Sequence, residues 1–235
     1  MFLWDHVLRP EREPREIADV WVALAAVASA TERVRLGPMV TPLARRRPNK
    51  VAREIVTLDL LSGGRLVCGF GLGDDHYREF SAHGDVVDRR ERAEMFDEGL
   101  GLLDELLRGE EVNHRGPHYV ADRVVLRPLP EQRPRPPFWL AARGGAPVPT
   151  RRAARFEGLF PIELGAEELA ASLALVATER GGLEGFDVAV VAVPGRDLAP
   201  YEEAGATWAM HVFSPGATAD DLRRRAASPP PGGDR

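Results

Sequence analysis

The stretch from Val34 to Asp74, VRLGPMVTPLARRRPNKVAREIVTLDLLSGGRLVCGFGLGD, constrains the fold more than any other part of the chain. VRLGPMV is a short apolar run that ends in a polar loop. From Pro48 to Leu61, apolar residues recur at Val51, Ile55, Leu58 and Leu61, the 3.6-residue spacing of a helix face. Ser62, Gly63 and Gly64 end that helix, because glycine enters the left-handed cap region without a Cβ penalty. Leu66 to Phe70 is a continuous apolar strand of the kind buried on both faces in a parallel sheet. A complete β-α-β unit results, and its last strand opens into Gly71-Leu72-Gly73-Asp74. Backbone free of side chains at the end of a parallel strand is where a ring or a phosphate can approach closely.

Seven short apolar segments alternate with helical stretches along the chain: Phe2–Trp4, Val34–Val40, Leu66–Phe70, Phe138–Ala141, Gly158–Ile162, Val188–Val193 and Thr207–Val212. Helices are expected near Ala18–Ala30, Pro48–Leu61, Arg89–Leu107, Thr150–Arg155, Ala166–Thr178 and Leu198–Ala204. Such alternation predicts an α/β fold with a parallel sheet, open and doubly wound or closed as a barrel. A closed (β/α) barrel has eight strands and usually about 250 residues; this chain of 235 residues offers seven. Between Gly109 and Pro137 the alternation is interrupted. Val112, Tyr119 and Val124–Leu126 flank Gly116-Pro117 as a small hairpin would, and Pro128 to Pro137 reads as a stiff extended connector. One domain over residues 1–227 is expected, followed by a disordered tail at 228–235 (SPPPGGDR).

Bulk properties narrow the function. A net charge of −5, with arginines dispersed among acids except at Arg45-Arg46-Arg47, argues against nucleic-acid and membrane-surface roles, which need a basic patch. No apolar run has the length of a membrane span and no signal peptide precedes the first strand, so a cytoplasmic protein is expected. The single cysteine, Cys68, lies within an apolar strand and reads as a buried structural thiol. His76, His83, His114 and His118 show no metal-ligand spacing with carboxylates or cysteine, so no metal is expected.

Three ordered motifs within about forty residues carry a resemblance. Leu36-Gly37-Pro38-Met39-Val40, Thr57-Leu58-Asp59-Leu60-Leu61-Ser62-Gly63-Gly64-Arg65 and Gly71-Leu72-Gly73 resemble the hallmark of the bacterial luciferase-like flavin-dependent oxidoreductases. The resemblance implies an eight-stranded TIM-type barrel in which Phe2-Leu3-Trp4-Asp5-His6 stands at the second strand. The first β-α unit, roughly thirty residues, is then missing before Met1, which would leave two unpaired sheet edges. It also implies that the hairpin insertion at 109–137 folds over the barrel mouth.

In a barrel, the working residues sit at the C-terminal ends of strands. Those positions here are Asp5 and His6; Met39, Val40 and Thr41; Gly71, Gly73, Asp74 and Asp75; Arg143, Gly144 and Gly145; and His211. By resemblance, Asp5 and His6 line the flavin site. There His6 would donate a hydrogen bond to the reduced ring or relay a proton. Otherwise His6 is a loop histidine bonded to neighbouring backbone. Gly71 and Gly73 read as the place where backbone meets the isoalloxazine ring. Asp74 stands where deazaflavin-dependent relatives place a glutamate acid, and reads equally as a cap of the next helix; Asp75 reads as solvated. Met39 and Val40 would form an apolar shelf under the ring, in some relatives with a non-proline cis peptide. Arg143, Gly144 and Gly145 would hold the cofactor phosphate, or else form an ordinary glycine turn, and Pro147 and Pro149 would delay the helix that follows. Arg45-Arg46-Arg47 reads as a solvated loop, with pairing to an anion as the other reading.

The leading expectation is a monooxygenase that uses reduced FMN, supplied by a flavin reductase, and O2 on a small organic substrate. A deazaflavin enzyme using coenzyme F-420 is the second; the tryptophan of that set is replaced by Pro10. A non-catalytic flavin-binding barrel remnant is the third. The resemblance further implies a homodimer, for which the apolar helix Val20 to Ala28 would serve.

Overall fold

Two periodicities, two-residue in the strands and 3.6-residue in the helices, sort the apolar side chains into two separate layers. The computed structural model describes residues 1–8, 16–214 and 216–227; Pro10 and the tail from 228 lie outside the described residues. In chain order, β1 (Phe2–Leu3) and α1 (Val20–Ala30) precede β2 (Gly37–Pro38) and β3 (Thr41–Pro42). Then come α2 (Pro48–Ser62), β4 (Cys68–Gly71), α3 (Arg89–Arg108) and the hairpin β5 (Val112–Arg115) and β6 (Val120–Val124). β7 (Phe138–Arg143), α4 (Pro147–Ala153), β8 (Gly158–Ile162) and α5 (Ala166–Arg180) follow. The last elements are β9 (Asp187–Ala192), α6 (Ala199–Glu203), β10 (Trp208–His211) and α7 (Ala219–Ala227).

All strands except the hairpin run parallel. β1 pairs with β2, with Phe2 opposite Gly37. β3 pairs with β4, and β4, β7, β8, β9 and β10 follow one another in the sheet. β2 and β3 are two halves of one strand position, divided at Met39-Val40, where the peptide bond is cis; a bridge between Leu36 and Leu66 joins the first half to the β4 segment. Seven strand positions therefore lie side by side in chain order, the seven expected from sequence. Among the described residues they form an open arc, a partial (β/α) barrel with β1 and β10 at its ends.

Alternation along each strand separates the two layers. Phe70, Phe138, Leu140, Leu159, Val188 and Val190 point outward, into a core shared with the helices. Met39, Val67, Trp139, Phe160 and Ala189 point inward, with Phe2, Val40, Ala141, Ile162, Trp208 and Met210 packed against them. Trp139 is at the middle of that interior and has no exposed surface. It stacks on Phe2 with ring centres 5.6 Å apart and meets Trp208 edge-on at 5.3 Å, so strands at both ends of the arc touch one ring. Cys68 is fully buried, and burial pushes its thiol well above the ordinary range, as expected of a structural cysteine.

The TLDLLSGGR segment builds the floor. Gly63, at φ 63°, closes α2 with its N–H on Asp59 O and Leu60 O. Arg65 then reaches beneath α1, donating to Ala28 O (2.9 Å), Thr31 O (2.8 Å), Thr31 Oγ1 (2.9 Å) and Val34 O (2.8 Å). Carbonyls left over at a helix end are thereby satisfied by a cation, which the helix dipole also favours. Asp59, fully buried, accepts from the N–H and side-chain amide of Gln132 at 2.9 and 2.7 Å. The proline-rich segment is thus more than a connector. Its Arg135 lies 3.9 Å over Phe138 and pairs with Asp104 (2.6 Å) and Glu157 (2.8 Å).

Two helices differ from expectation. α4 begins at Pro147, not near Thr150, because a proline at the first helical position supplies the required φ and its missing N–H is not needed there. α7 was not anticipated: ADDLRRRAA offers one strongly apolar side chain, Leu222, so it shows little helical periodicity. The hairpin, with His114 opposite Ala121, is fastened to α3, where Glu98 accepts from the N–H groups of His118 and Tyr119 and bonds His114. Those contacts fasten it to a flank of α3.

Trp139→Ala removes the ring that both ends of the arc share. It is expected to lower unfolding free energy by about 3–5 kcal/mol with little change in the denaturant slope, measured by urea titration.

Candidate active site

At the C-terminal ends of β1, β3 and β4, two carboxylates meet two guanidinium groups. Asp5 follows β1 directly and is 3% exposed. Its Oδ1 accepts from Arg45 Nη2 (3.1 Å) and Arg46 Nη2 (2.7 Å), and its Oδ2 from Arg46 Nε (3.0 Å) and the buried Thr41 hydroxyl (2.8 Å). Burial works against the Arg46 charge, but the hydrogen bond and charge of Asp5 more than restore it and raise its pKa. Arg46 also lies 3.8 Å from Asp19, whose other oxygen caps α1 at Val22 N–H.

Glu79, in the loop after β4, is the second carboxylate and is 5% exposed. Its Oε1 accepts from Val7 N–H (2.7 Å), Leu8 N–H (3.3 Å) and Arg45 Nη1 (2.9 Å), while Oε2 lies 2.9 Å from His6 Nδ1. Burial alone would raise the Glu79 pKa. The hydrogen bonds from His6 and Val7 and the charges of His6 and Arg45 bring it instead from 4.5 down to about 2. His6 is thus fixed at one nitrogen, with Trp4 and Tyr77 edge-on to its ring at 5.9 Å each.

The strand ends beside this network supply an apolar surface. Met39 is buried, and Val40, Ala141 and Ile162 are half-buried. Gly71 is required by that surface itself, since a Cβ there would stand 2.6 Å from Val40 Cγ2. Gly73, at φ 70°, would place a Cβ 2.9 Å from both Phe80 and Pro42; Arg92 holds its carbonyl at 3.0 Å and lies 4.5 Å over the Phe80 ring. The two glycines are therefore explained by contacts within the chain.

A third group of charges forms the rim. Arg143, at the end of β7, lies 3.8 Å from Asp74 and 3.5 Å from Glu163, and all three side chains are more than half exposed. Asp74 also accepts from His76 N–H, and no hydrogen bond or ion pair among the described residues joins it to His6. Glu163 takes φ 57°, rare outside glycine. Next to Arg143, Gly144 and Gly145 stand at φ 59° and 61°; nothing lies within 4 Å of a Cβ on Gly144, and only Ser172 Oγ, at 3.7 Å, near one on Gly145.

Several sequence-based readings are revised here. Asp5 has both carboxylate oxygens bonded inside the chain. Arg45 and Arg46 are not a solvated loop, because Asp5 and Glu79 draw them in to 5% and 17% side-chain exposure. Asp75 is not merely solvated: its Oδ1 accepts from Phe80 N–H (2.9 Å) and Ser81 N–H (3.0 Å), and the Ser81 hydroxyl, with these N–H groups, lowers its pKa. Glu79 and Glu163 were missed. Glu79 stands in DHYREF, where no periodicity marks it, and its partners are 34 to 73 positions away.

The match to known proteins is decisive at the level of family. Residues 3–213 match the luciferase-like monooxygenase family. The chain belongs to this family. This luciferase-like chain is 38% identical to the Sinorhizobium fredii protein y4wF over 120 residues, half of this chain and 34% of that one. It is 30% identical over 156 residues to the F420-dependent glucose-6-phosphate dehydrogenase of Microbacterium testaceum, covering 66% of this chain and 45% of the relative. The solved structure of monooxygenase RslO1 from Streptomyces bottropensis superposes with a TM-score of 0.65 at 27% identity, over 79% of this chain and 58% of that one. The luciferase-like chain thus spans a third to under a half of these curated relatives. Its family is one of flavin- and deazaflavin-dependent oxidoreductases, and no helix among the described residues is long and apolar enough to cross a membrane.

Because the Glu79 carboxylate is held at about 2 against an ordinary 4.5, its contribution to stability is fully present above about pH 4.5 and is lost as pH falls toward 2. A difference of that size corresponds to about 3 kcal/mol. Glu79→Gln is expected to flatten the stability-versus-pH curve across that window, measured by denaturant unfolding at a series of acid pH values. Asp5→Ala, which removes the close partner of Arg46 and one of the two carboxylates that hold Arg45, is expected to cost about 3–5 kcal/mol at neutral pH in the same assay.

Proposed function

We propose that this chain is a flavin-dependent oxidoreductase, a monooxygenase that takes reduced FMN and O2 to a small organic substrate. The observation that carries the reading is the pairing, at one end of the sheet, of a fixed histidine with an apolar shelf inside a chain of this family. Val40, Ala141 and Ile162, half-buried above buried Met39, suit the face of a flat aromatic ring. The open space at Gly144 and Gly145, next to Arg143, suits a phosphate. The residues therefore fit a flavin mononucleotide, and when bound it supplies the redox chemistry.

The chain's own groups then have distinct tasks. Met39 and Val40 keep water from one ring face, and Ala141 with Ile162 extends that dry surface. Arg143 balances phosphate charge, with Asp74 and Glu163 as the partners it would exchange. His6 offers a ring nitrogen at the polar edge. Asp74, 55% exposed on the rim, is placed to hold a substrate or carry its proton. A separate reductase would deliver the reduced flavin, and a homodimer in the cytoplasm is the setting the proposal adopts.

A deazaflavin cofactor is the second reading. The 30%-identical F420-dependent relative favours it, as does a carboxylic acid at Asp74. A flavin-binding protein without turnover is the third, motivated by the open arc of seven strands.

A paired titration with FMN and with the deazaflavin, followed by fluorescence and thermal shift, tests these. FMN binding that weakens at least tenfold in Gly144→Val supports the proposal. Binding of the deazaflavin alone would move the chain to the second reading, and binding without substrate-dependent oxygen uptake to the third.

A further inference from the structure

Glu79 receives its donors unevenly, and this has a chemical consequence for His6. Three donors, the N–H groups of Val7 and Leu8 and Arg45 Nη1, converge on Oε1, while among the described residues Oε2 meets His6 Nδ1. A carboxylate accepts and does not donate, so the neutral imidazole must carry its proton on Nδ1 to complete the 2.9 Å bond. Nε2 is then left with its lone pair. From this geometry we propose that Glu79 is the positioning residue of the site: it fixes His6 as the Nδ1–H tautomer, so that Nε2 is an acceptor and the ligand atom meeting it is an N–H or O–H donor. The inference rests on His6 lining the site proposed above, and it narrows what that site takes. A reduced ring N–H or a substrate hydroxyl is accepted there, and a carbonyl is not unless His6 is protonated.

Three described side chains face this pair. Arg45, itself held by Asp5, lies on the opposite oxygen of Glu79; Tyr77 and Trp4 present ring edges to His6. The same asymmetry makes Glu79→Gln an unusually sharp probe. Three N–H donors at the Oε1 position hold the amide oxygen there, so the amide NH2 must face His6. The amide then donates to Nδ1, and the imidazole proton moves to Nε2. A substitution that keeps shape would reverse the hydrogen-bonding sense of the nitrogen that meets the ligand.

The test uses the full chain with 15N-labelled histidine, without cofactor, at about pH 9, where imidazole is neutral. The His6 signals are identified by their loss in His6→Gln. In the wild type, His6 is expected to show a protonated Nδ1 and an unprotonated Nε2; in Glu79→Gln the two nitrogen resonances exchange character. A structural role alone would not produce that exchange. A wild-type Nε2–H tautomer, an even mixture, or an unchanged tautomer in Glu79→Gln would overturn the proposal. Should Glu79→Gln not fold, the wild-type spectrum alone decides. FMN titration of the same samples keeps the two readings apart: failure to bind flavin counts against the function, and the tautomer result stands or falls without it.

Discussion

Arg45 is a buried cation between two buried carboxylates, and the arrangement of the strand-end loops depends on it. Its side chain, 5% exposed, reaches Asp5 after β1 on one side and Glu79 after β4 on the other. Taking such charges out of water costs several kcal/mol per ion, so the group is tolerable only when complete. Completion requires the loop after β1, the turn after β3 and the loop after β4 to adopt one mutual position. Arg46 adds a second guanidinium to the same Asp5 carboxylate. With His6 neutral the formal charges of Asp5, Glu79, Arg45 and Arg46 cancel, so the cluster specifies geometry without imposing a strong field on its surroundings.

The opposite end of the sheet is fastened by a different device. There single side chains satisfy backbone: Arg65 collects carbonyls below α1, Asp59 holds Gln132, and Arg135 is sandwiched between Phe138 and its two acids. Between the two ends lies the apolar interior around Trp139, where alternation does the positioning. Hydrophobic burial thus sets the strand arc, and polar groups at each end fix the loops that burial leaves undetermined.

This division explains what could be read from the sequence. Strands such as Gly158–Ile162 and helices such as Pro48–Ser62 are encoded by local periodicity, and glycine stops mark their ends, so they were legible to within a residue. The motif that signals the family is legible for the same reason, yet most of it, Asp59, Gly63 and Arg65, builds the floor and not the site. Asp5 and His6 could be placed at a strand end, but their partners could not, because Glu79 is 73 positions from His6 and carries no local signal. The arginine run shows the same limit. Three consecutive arginines look solvated in isolation; only the fold brings Asp5 and Glu79 to two of them and leaves Arg47 in solvent.

The two polar groups at the strand ends differ in tightness, and the difference bears on what each can do. In the inner network the bonds between Asp5, Glu79, His6 and the arginines fall between 2.7 and 3.1 Å, with the acids nearly inaccessible. On the rim Arg143 lies 3.5 and 3.8 Å from acids that are more than half exposed, a separation at which pairing contributes little in water. An inner network of that kind holds one geometry and tolerates no exchange of partners. A rim of weakly paired, exposed side chains would, in the proposed site, release Arg143 to an incoming anion at small cost. In the site proposed above, selection between ligands would therefore fall to the rim, while the inner network would fix the one nitrogen of His6 against which they are presented.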